Sequence, residues 1–301
     1  MQKPSNLKQG DKVVILSTAR KISESEIVPA VNVLEGWGLD VVVGANLFNE
    51  EDQFSGTTEQ RTSDLQKALD DESIKAIFCA RGGYGTVKLI DEIDFSIFKQ
   101  NPKWLVGYSD VTVLHNHINQ NFNMQTLHAT MPINFASNTK ESLESLKKAL
   151  FGESLIYKFD AHQKNRNGIL EGEIVGGNLS IIYSLMGTNS QINTKDKILF
   201  IEDLDEYLYH VDRMMMNLKR AGMLDGLAGL IVGGMSDMND NTIPYGKTAI
   251  EIITDAIKGY DYPVCFNFPA GHIDDNRALI MGRKAIVNIG ENCSLKFENY
   301  P

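Results

Sequence analysis

Four short segments hold the residues whose types and order could do chemistry. Gly107-Tyr108-Ser109-Asp110 follows the apolar run Trp104-Leu105-Val106 and precedes a helical pattern with Val111, Leu114 and Ile118 on one side. A serine at a sharp strand-to-helix turn exposes its hydroxyl, and the N–H of the following residue can donate to an oxyanion. Ser109 is therefore a candidate nucleophile, although the segment is not G-x-S-x-G. On local sequence alone the simpler reading has priority, with Ser109 or Asp110 merely capping the helix. Arg81-Gly82-Gly83-Tyr84-Gly85 also lies between a strand pattern and a helix pattern. Such a turn lets backbone approach a ligand and points N–H groups outward, toward a phosphate or an oxyanion. It matches neither the dinucleotide fingerprint nor the P-loop, and a tight turn without a ligand explains it equally well.

Glu202 ends the apolar run before Asp203, where a carboxylate can point from a rigid strand into a cleft. His272 stands in Gly271-His272-Ile273-Asp274-Asp275-Asn276, a loop pattern following Pro269. Singly, they read as a helix-start acid and a surface histidine. Together they supply the base and the orienting group that a serine nucleophile needs. The remaining histidines compete poorly. His115 and His117 are two apart on a predicted helix and face different sides, and His128, His162 and His210 lack a partner at metal-ligand spacing. No H-E-x-x-H is present, so neither a metal nor a cofactor is expected. Cys79, Cys265 and Cys293 form no C-x-x-C pair, which argues against a zinc ribbon or a disulfide framework and suits a reducing compartment. Cys79 lies inside an apolar run and reads as an inert core thiol.

The elements that must position these residues alternate along the chain. Short β-branched runs at 12–17, 39–43, 74–80 and 104–107 read as parallel strands, with helices at 25–34, 58–69, 84–93 and 110–119. A further helix is predicted over 140–150, and the polar stretch 152–168 reads as a linker. Strands at 197–201, 229–232, 264–266 and 285–289 and helices at 177–186, 206–221 and 247–258 follow. Met214, Met215 and Met216 read as packing residues of one such helix. The expected organisation is an N-terminal α/β domain over 1–160, carrying Ser109, and a C-terminal domain over 161–301, carrying Glu202 and His272. The 301 residues carry a formal charge of −10, which disfavours nucleic acid and anionic membranes as partners. No apolar run approaches the roughly 20 residues of a membrane span, and the N-terminus reads as a first strand instead of a secretory signal. A cytoplasmic location is expected.

Read in order, CARGGYGTVKLID, PKWLVGYSDVTVLH, EIVGGNLSIIYSLMGT, LFIEDLDEYLYHVDRMMMNL and AGHIDDNRALIMG resemble the LD-carboxypeptidase family of serine peptidases. That family also contains microcin C-type immunity peptidases. The resemblance implies a nucleophile at Ser109, a triad glutamate at Glu202, a triad histidine at His272, and oxyanion donors on the backbones of Gly83 and Asp110. It further implies a flavodoxin-like parallel-sheet sandwich, a smaller β-rich C-terminal α/β domain, and a homodimer. The implied substrate is a small peptide, the muropeptide stem, cut before its terminal D-alanine. Arg81 and Tyr84 are candidate substrate contacts, Arg81 as a cation for the terminal carboxylate unless it pairs with an acid such as Asp94. Two segments depart from the family pattern. Ser17-Thr18-Ala19-Arg20 replaces an Ala-Pro-Ser type turn, and His128-Ala129-Thr130-Met131-Pro132 replaces His-Gly-Pro. Both read as loops able to line the substrate pocket. The competing readings are an amidase for peptidyl or aminoacyl nucleotides and a non-catalytic anion-binding module. The first wants an aromatic surface, yet Trp37 and Trp104 both lie in core-like segments.

Overall fold

The structure, a computed structural model, describes residues 1–298. The first half runs β1 (Lys12–Leu16), α1 (Glu24–Gly36), β2 (Asp40–Val43), α2 (Thr58–Asp70), β3 (Ile74–Cys79), α3 (Ser96–Gln100), β4 (Trp104–Gly107), α4 (Thr112–Phe122), β5 (Thr126–His128) and α5 (Lys140–Phe151). The second half runs β6 (Ile156–Phe159), β7 (Gly168–Asn178), α6 (Leu179–Ser184), β8 (Ile198–Leu204), α7 (Leu208–Arg220), β9 (Gly229–Ser236), α8 (Ala249–Ala256), β10 (Val264–Cys265), β11 (Leu279–Met281), β12 (Lys284–Ile289) and β13 (Cys293–Phe297).

Two sheets organise these elements. The first has the order β11-β5-β4-β3-β1-β2, parallel except for β11, which pairs antiparallel with β5. Its strands are short and β-branched because both faces are covered, and the β4 residues Trp104, Leu105 and Val106 have no exposed surface. The second sheet has the order β10-β9-β8-β7-β12-β13-β6. In it β7 is the hinge between two pairing modes. Residues 168–173 pair antiparallel with β12, and residues 174–178 pair parallel with β8. The parallel half ends at Asn178, which lies beside Glu202 in register, while β8 continues to Leu204. The helices start where their sequences supply caps. Thr57 accepts the Gln60 N–H while the Gln60 side chain takes the Thr57 N–H, and Thr248 and Glu251 repeat the arrangement at α8.

Strands β5, β7, β11 and β13 are additions to the sequence reading, and the structure departs from it in three further places. The helix expected over 84–93 is two single 3₁₀ turns, Thr86–Lys88 and Ile90–Glu92. Gly85 enters at φ +147°, and the Thr86 N–H is taken by the Asp110 carboxylate at 2.9 Å, which fixes the start of the first turn. The stretch read as linker contains a strand, β6, whose Tyr157 is buried and donates its hydroxyl to the Ala278 carbonyl at 2.7 Å. Third, His128 closes strand β5 instead of opening a loop, and it is fully buried with Ala129 and Thr130.

Candidate active site

Ser109 begins a 3₁₀ turn between β4 and α4, with φ at +63°. A non-glycine residue in the left-handed region carries strain of order 1–3 kcal/mol and persists where its surroundings over-determine it. Here they do. Gly107 at φ +159° leaves room for the Val111 side chain, and the buried His115 ring bonds the Gly107 carbonyl at 2.9 Å. Burial pushes that imidazole down to about 3, so it is neutral. The turn lifts the Ser109 side chain against Gly82, where an added Cβ would lie 2.8 Å from Ser109 Cβ and 2.9 Å from its Oγ.

Gly82 and Gly83 therefore form the wall beside the serine. Gly83, at φ +113°, is exposed, and Tyr84 next to it is 47% exposed. The turn is tied down by the Asp110 carboxylate on the Thr86 N–H and by the Thr18–Thr86 hydroxyl pair at 2.8 Å. Burial raises the pKa of Asp110 against the opposing pull of those hydrogen bonds. The aspartate side chain thus holds the glycine turn, while its backbone N–H stays beside Ser109.

Glu202 and His272, 70 residues apart in sequence, are in contact. The His272 Nδ1 lies 2.7 Å from Glu202 Oε2, and the His272 N–H donates to the same oxygen at 3.1 Å. Gly271, at φ +108°, permits the approach, since a Cβ there would meet the Glu202 side chain at 2.7–2.9 Å. Glu202 is fully buried and His272 14% exposed at the side chain. Burial alone would raise the glutamate's pKa, but His272 and His128 outweigh it and hold the carboxylate ionised. For His272 burial works against the charged form, and the Glu202 charge wins, leaving its pKa above the ordinary value. The ring of Tyr108, the residue before Ser109, meets the His272 ring edge-on at 4.8 Å between centroids. The histidine is therefore held at the same turn as the serine.

Both halves of the chain clamp this arrangement. Ser236 of β9 donates to the His272 carbonyl at 2.7 Å, and Asn276 takes the Gly271 N–H at 2.9 Å. From the first half, the Thr139 N–H and the Ser142 hydroxyl both bond the Asp274 carbonyl. At the base of α4, Thr112 Oγ1 takes the Asn178 N–H at 3.0 Å, and Asn178 Nδ2 donates to Asp203 at 2.9 Å. Burial, with Glu202 beside it, pushes the Asp203 carboxyl up to about 7.

Sequence reasoning gave His128 no partner. It is fully buried with Nε2 4.0 Å from Glu202 Oε1, on the side of the carboxylate away from His272. Its ring also meets Phe200 edge-on at 5.0 Å. No spacing rule finds it, because its partner is 74 residues away in the chain; the one available signal was a histidine directly after an apolar strand pattern. Arg81 lies 3.9 Å from Glu26 and 3.5 Å from the Lys21 carbonyl, whereas Asp94 is engaged with Ser96. Trp104 is fully buried and Trp37 packs against the core, as their segments implied. Among the described residues no cluster of His, Cys, Asp and Glu could hold a metal ion.

A strained serine at a strand-to-helix turn, whose neighbour Tyr108 packs on a histidine bonded to a buried carboxylate, is compatible with the layout of a serine hydrolase. Comparison narrows the class. Residues 13–129 match the LD-carboxypeptidase N-terminal domain and residues 171–287 the LD-carboxypeptidase C-terminal domain. The chain is 34% identical to the probable murein peptide carboxypeptidase of Bacillus subtilis, over 97% of this chain and 93% of that one. It is 25% identical to the murein tetrapeptide carboxypeptidase of Pseudomonas aeruginosa, over 92% of each. Its fold superposes on muramoyltetrapeptide carboxypeptidase from Oxalobacter formigenes with a TM-score of 0.86 at 23% identity, covering 96% of this chain and 99% of that one. On the microcin C7 self-immunity protein MccF the TM-score is 0.88 at 21% identity, covering 99% of each. The chain belongs to the LD-carboxypeptidase family and is a serine-type hydrolase of that class.

Proposed function

We propose that the protein removes the terminal D-alanine from muropeptide stems, with Ser109 as nucleophile, His272 as general base and acid, and Glu202 as the orienting carboxylate. The observation that carries this reading is the Glu202–His272 pair at 2.7 Å, held at the turn on which Ser109 is strained. With Nδ1–H donated to Glu202, Nε2 is the free base of the ring. Ser109 Oγ attacks the carbonyl carbon of the diamino acid's L-centre as His272 Nε2 takes the hydroxyl proton. The tetrahedral oxyanion is met by the N–H groups of Gly83 and Asp110, each such donor contributing about 2.7–4 kcal/mol. Collapse breaks the C–N bond, and His272 returns its proton to the departing D-alanine amine. A water, deprotonated by the same imidazole, then hydrolyses the acyl-enzyme.

The names of the Bacillus and Pseudomonas relatives support a murein peptide as substrate. Recycling of wall fragments in the cytoplasm by a homodimer belongs to the same proposal, and the buried, unpaired Cys79, Cys265 and Cys293 are compatible with a reducing compartment. Tetrapeptides ending in L-Lys-D-Ala and meso-diaminopimelate-D-Ala, incubated with wild type and Ser109→Ala, test the reading. D-alanine release by the wild type alone is expected. Release by neither protein, with cleavage of an aminoacyl nucleotide instead, would replace the substrate assignment by the immunity-type amidase.

A further inference from the structure

Arg20 ends the turn after β1 and is exposed. Its backbone is fixed, since Ser17 Oγ donates to the Arg20 carbonyl at 2.8 Å and Arg20 forms an antiparallel bridge with Phe54. Its side chain lies across Gly83. A Cβ on that glycine would fall 2.6 Å from Arg20 Cγ and Cδ and 2.9 Å from Nε. The neighbouring Gly82 touches Ser109 in the same way, its hypothetical Cβ 2.9 Å from the serine Oγ. Two consecutive glycines thus carry the nucleophile on one and a guanidinium stem on the other.

The nearby cations are otherwise engaged. Lys21 pairs with Glu50 at 2.6 Å, Arg81 lies against Glu26 and the Lys21 carbonyl, and Arg61 is buried against the Gly56 carbonyl. Lys88 lies over the rings of Phe54 and Tyr84. Among the described residues, no carboxylate or hydrogen-bond acceptor engages the Arg20 guanidinium. An unneutralised planar fork beside an acyl-transfer site is suited to bidentate capture of a carboxylate.

We propose that Arg20 binds the free α-carboxylate of the substrate's terminal residue and so makes the enzyme a carboxypeptidase and not an endopeptidase. This rests on the function proposed above. In a peptide the terminal carboxylate lies one residue beyond the scissile carbonyl, a step of about 3.8 Å between successive Cα atoms. Gly82 and Gly83, adjacent in the chain, bring Ser109 and the Arg20 stem to one turn. A substrate whose carboxylate sits in the Arg20 fork has its last amide, and no other, at Ser109. Arg20 falls within the turn where the sequence departs from its family's pattern, so the assignment concerns this chain's own residue.

The test compares a stem tetrapeptide ending in D-alanine with the same peptide ending in D-alaninamide, for wild type, Arg20→Gln and Arg20→Lys. Wild type is expected to prefer the acid, and Arg20→Gln to lose about 10- to 100-fold of that preference in kcat/KM, mostly through KM. Arg20→Lys, which keeps the charge but not the fork, is expected to recover part of it. An unchanged acid-to-amide ratio in Arg20→Gln overturns the proposal. So does an equal loss on both substrates, which would make Arg20 a prop for the Gly83 turn. Failure of the wild type to release D-alanine from the acid is a different result: it removes the carboxypeptidase reading, and this inference with it.

Discussion

At Ser109 a backbone φ of +63° and two nearby glycines do the positioning, so small volume changes there should act on rate as well as on folding. Gly82→Ala is the cleanest case, because its added methyl would fall 2.8 Å from Ser109 Cβ. Displacing a reacting atom by about 1 Å costs on the order of 100-fold, and a loss of that size in kcat, with a melting temperature lowered by an overpacking cost of about 1–3 kcal/mol, is the expected result. Steady-state kinetics beside thermal unfolding checks it. Ser109→Ala, which keeps the turn, should lower D-alanine release by at least about 1,000-fold. The candidate site was legible to different depths. Ser109, Glu202 and His272 could be picked out because their segments occur in a recognisable order. Arg20 gave no separate signal, since an arginine in a turn is ordinary until its stem is seen across Gly83. His128 was hidden by chain distance, because the carboxylate it faces lies on another sheet.

Among the elements, the contact between α4 and β7 joins the helix that follows Ser109 to the strand end beside Glu202. Thr112 Oγ1 accepts the Asn178 N–H, and Gly177, at φ +130°, lets the threonine approach the strand end. Thr112→Val keeps the shape and leaves that buried N–H without an acceptor, which costs about 1–3 kcal/mol. Denaturant unfolding should show that loss, together with a fall in kcat as β7 and β8 shift against the Ser109 turn. An unchanged midpoint would contradict the assigned role of the contact. Most strands of the parallel sheet were readable because they are short, β-branched and buried on both faces. Strands β5 and β11 were not, since runs of three residues show too little periodicity to separate from loop, and β6, β7 and β13 escaped because their apolar residues are interrupted by charged residues and glycines. The 84–93 segment has helical spacing, yet it folds as two 3₁₀ turns entered at Gly85 and anchored to Asp110 of another element, a tertiary contact that no local pattern encodes.

For the whole molecule, the buried Glu202–His272 pair links activity, stability and pH. His272 titrates above the ordinary histidine value of about 6.5, so kcat/KM should fall as pH drops through a limb lying above that value. Glu202→Gln removes the charge that raises it, and the limb of the residual activity should move downward. The effect on stability has a defined sign. A depressed carboxylate stabilises above its unfolded pKa of about 4.3, and a raised imidazole stabilises below its unfolded pKa of about 6.5. The pair therefore contributes most between those values, and its contribution fades as pH rises through the folded pKa of His272. Asp203 acts in the same direction, since a carboxyl pushed up to about 7 binds its proton more tightly folded than unfolded. Denaturation midpoints of wild type and Glu202→Gln should differ most near about pH 5–6 and converge at alkaline pH. A gap that widens with rising pH would contradict the ion pair.

The central claim, that Ser109 is a nucleophile activated by His272, is tested most directly by covalent labelling. Wild type, Ser109→Ala and His272→Ala are treated with a fluorophosphonate, and adducts are located by peptide mass spectrometry. One adduct is expected, on Ser109, absent from Ser109→Ala and formed far more slowly in His272→Ala. An adduct on another residue, or equal labelling of the His272→Ala protein, would contradict it.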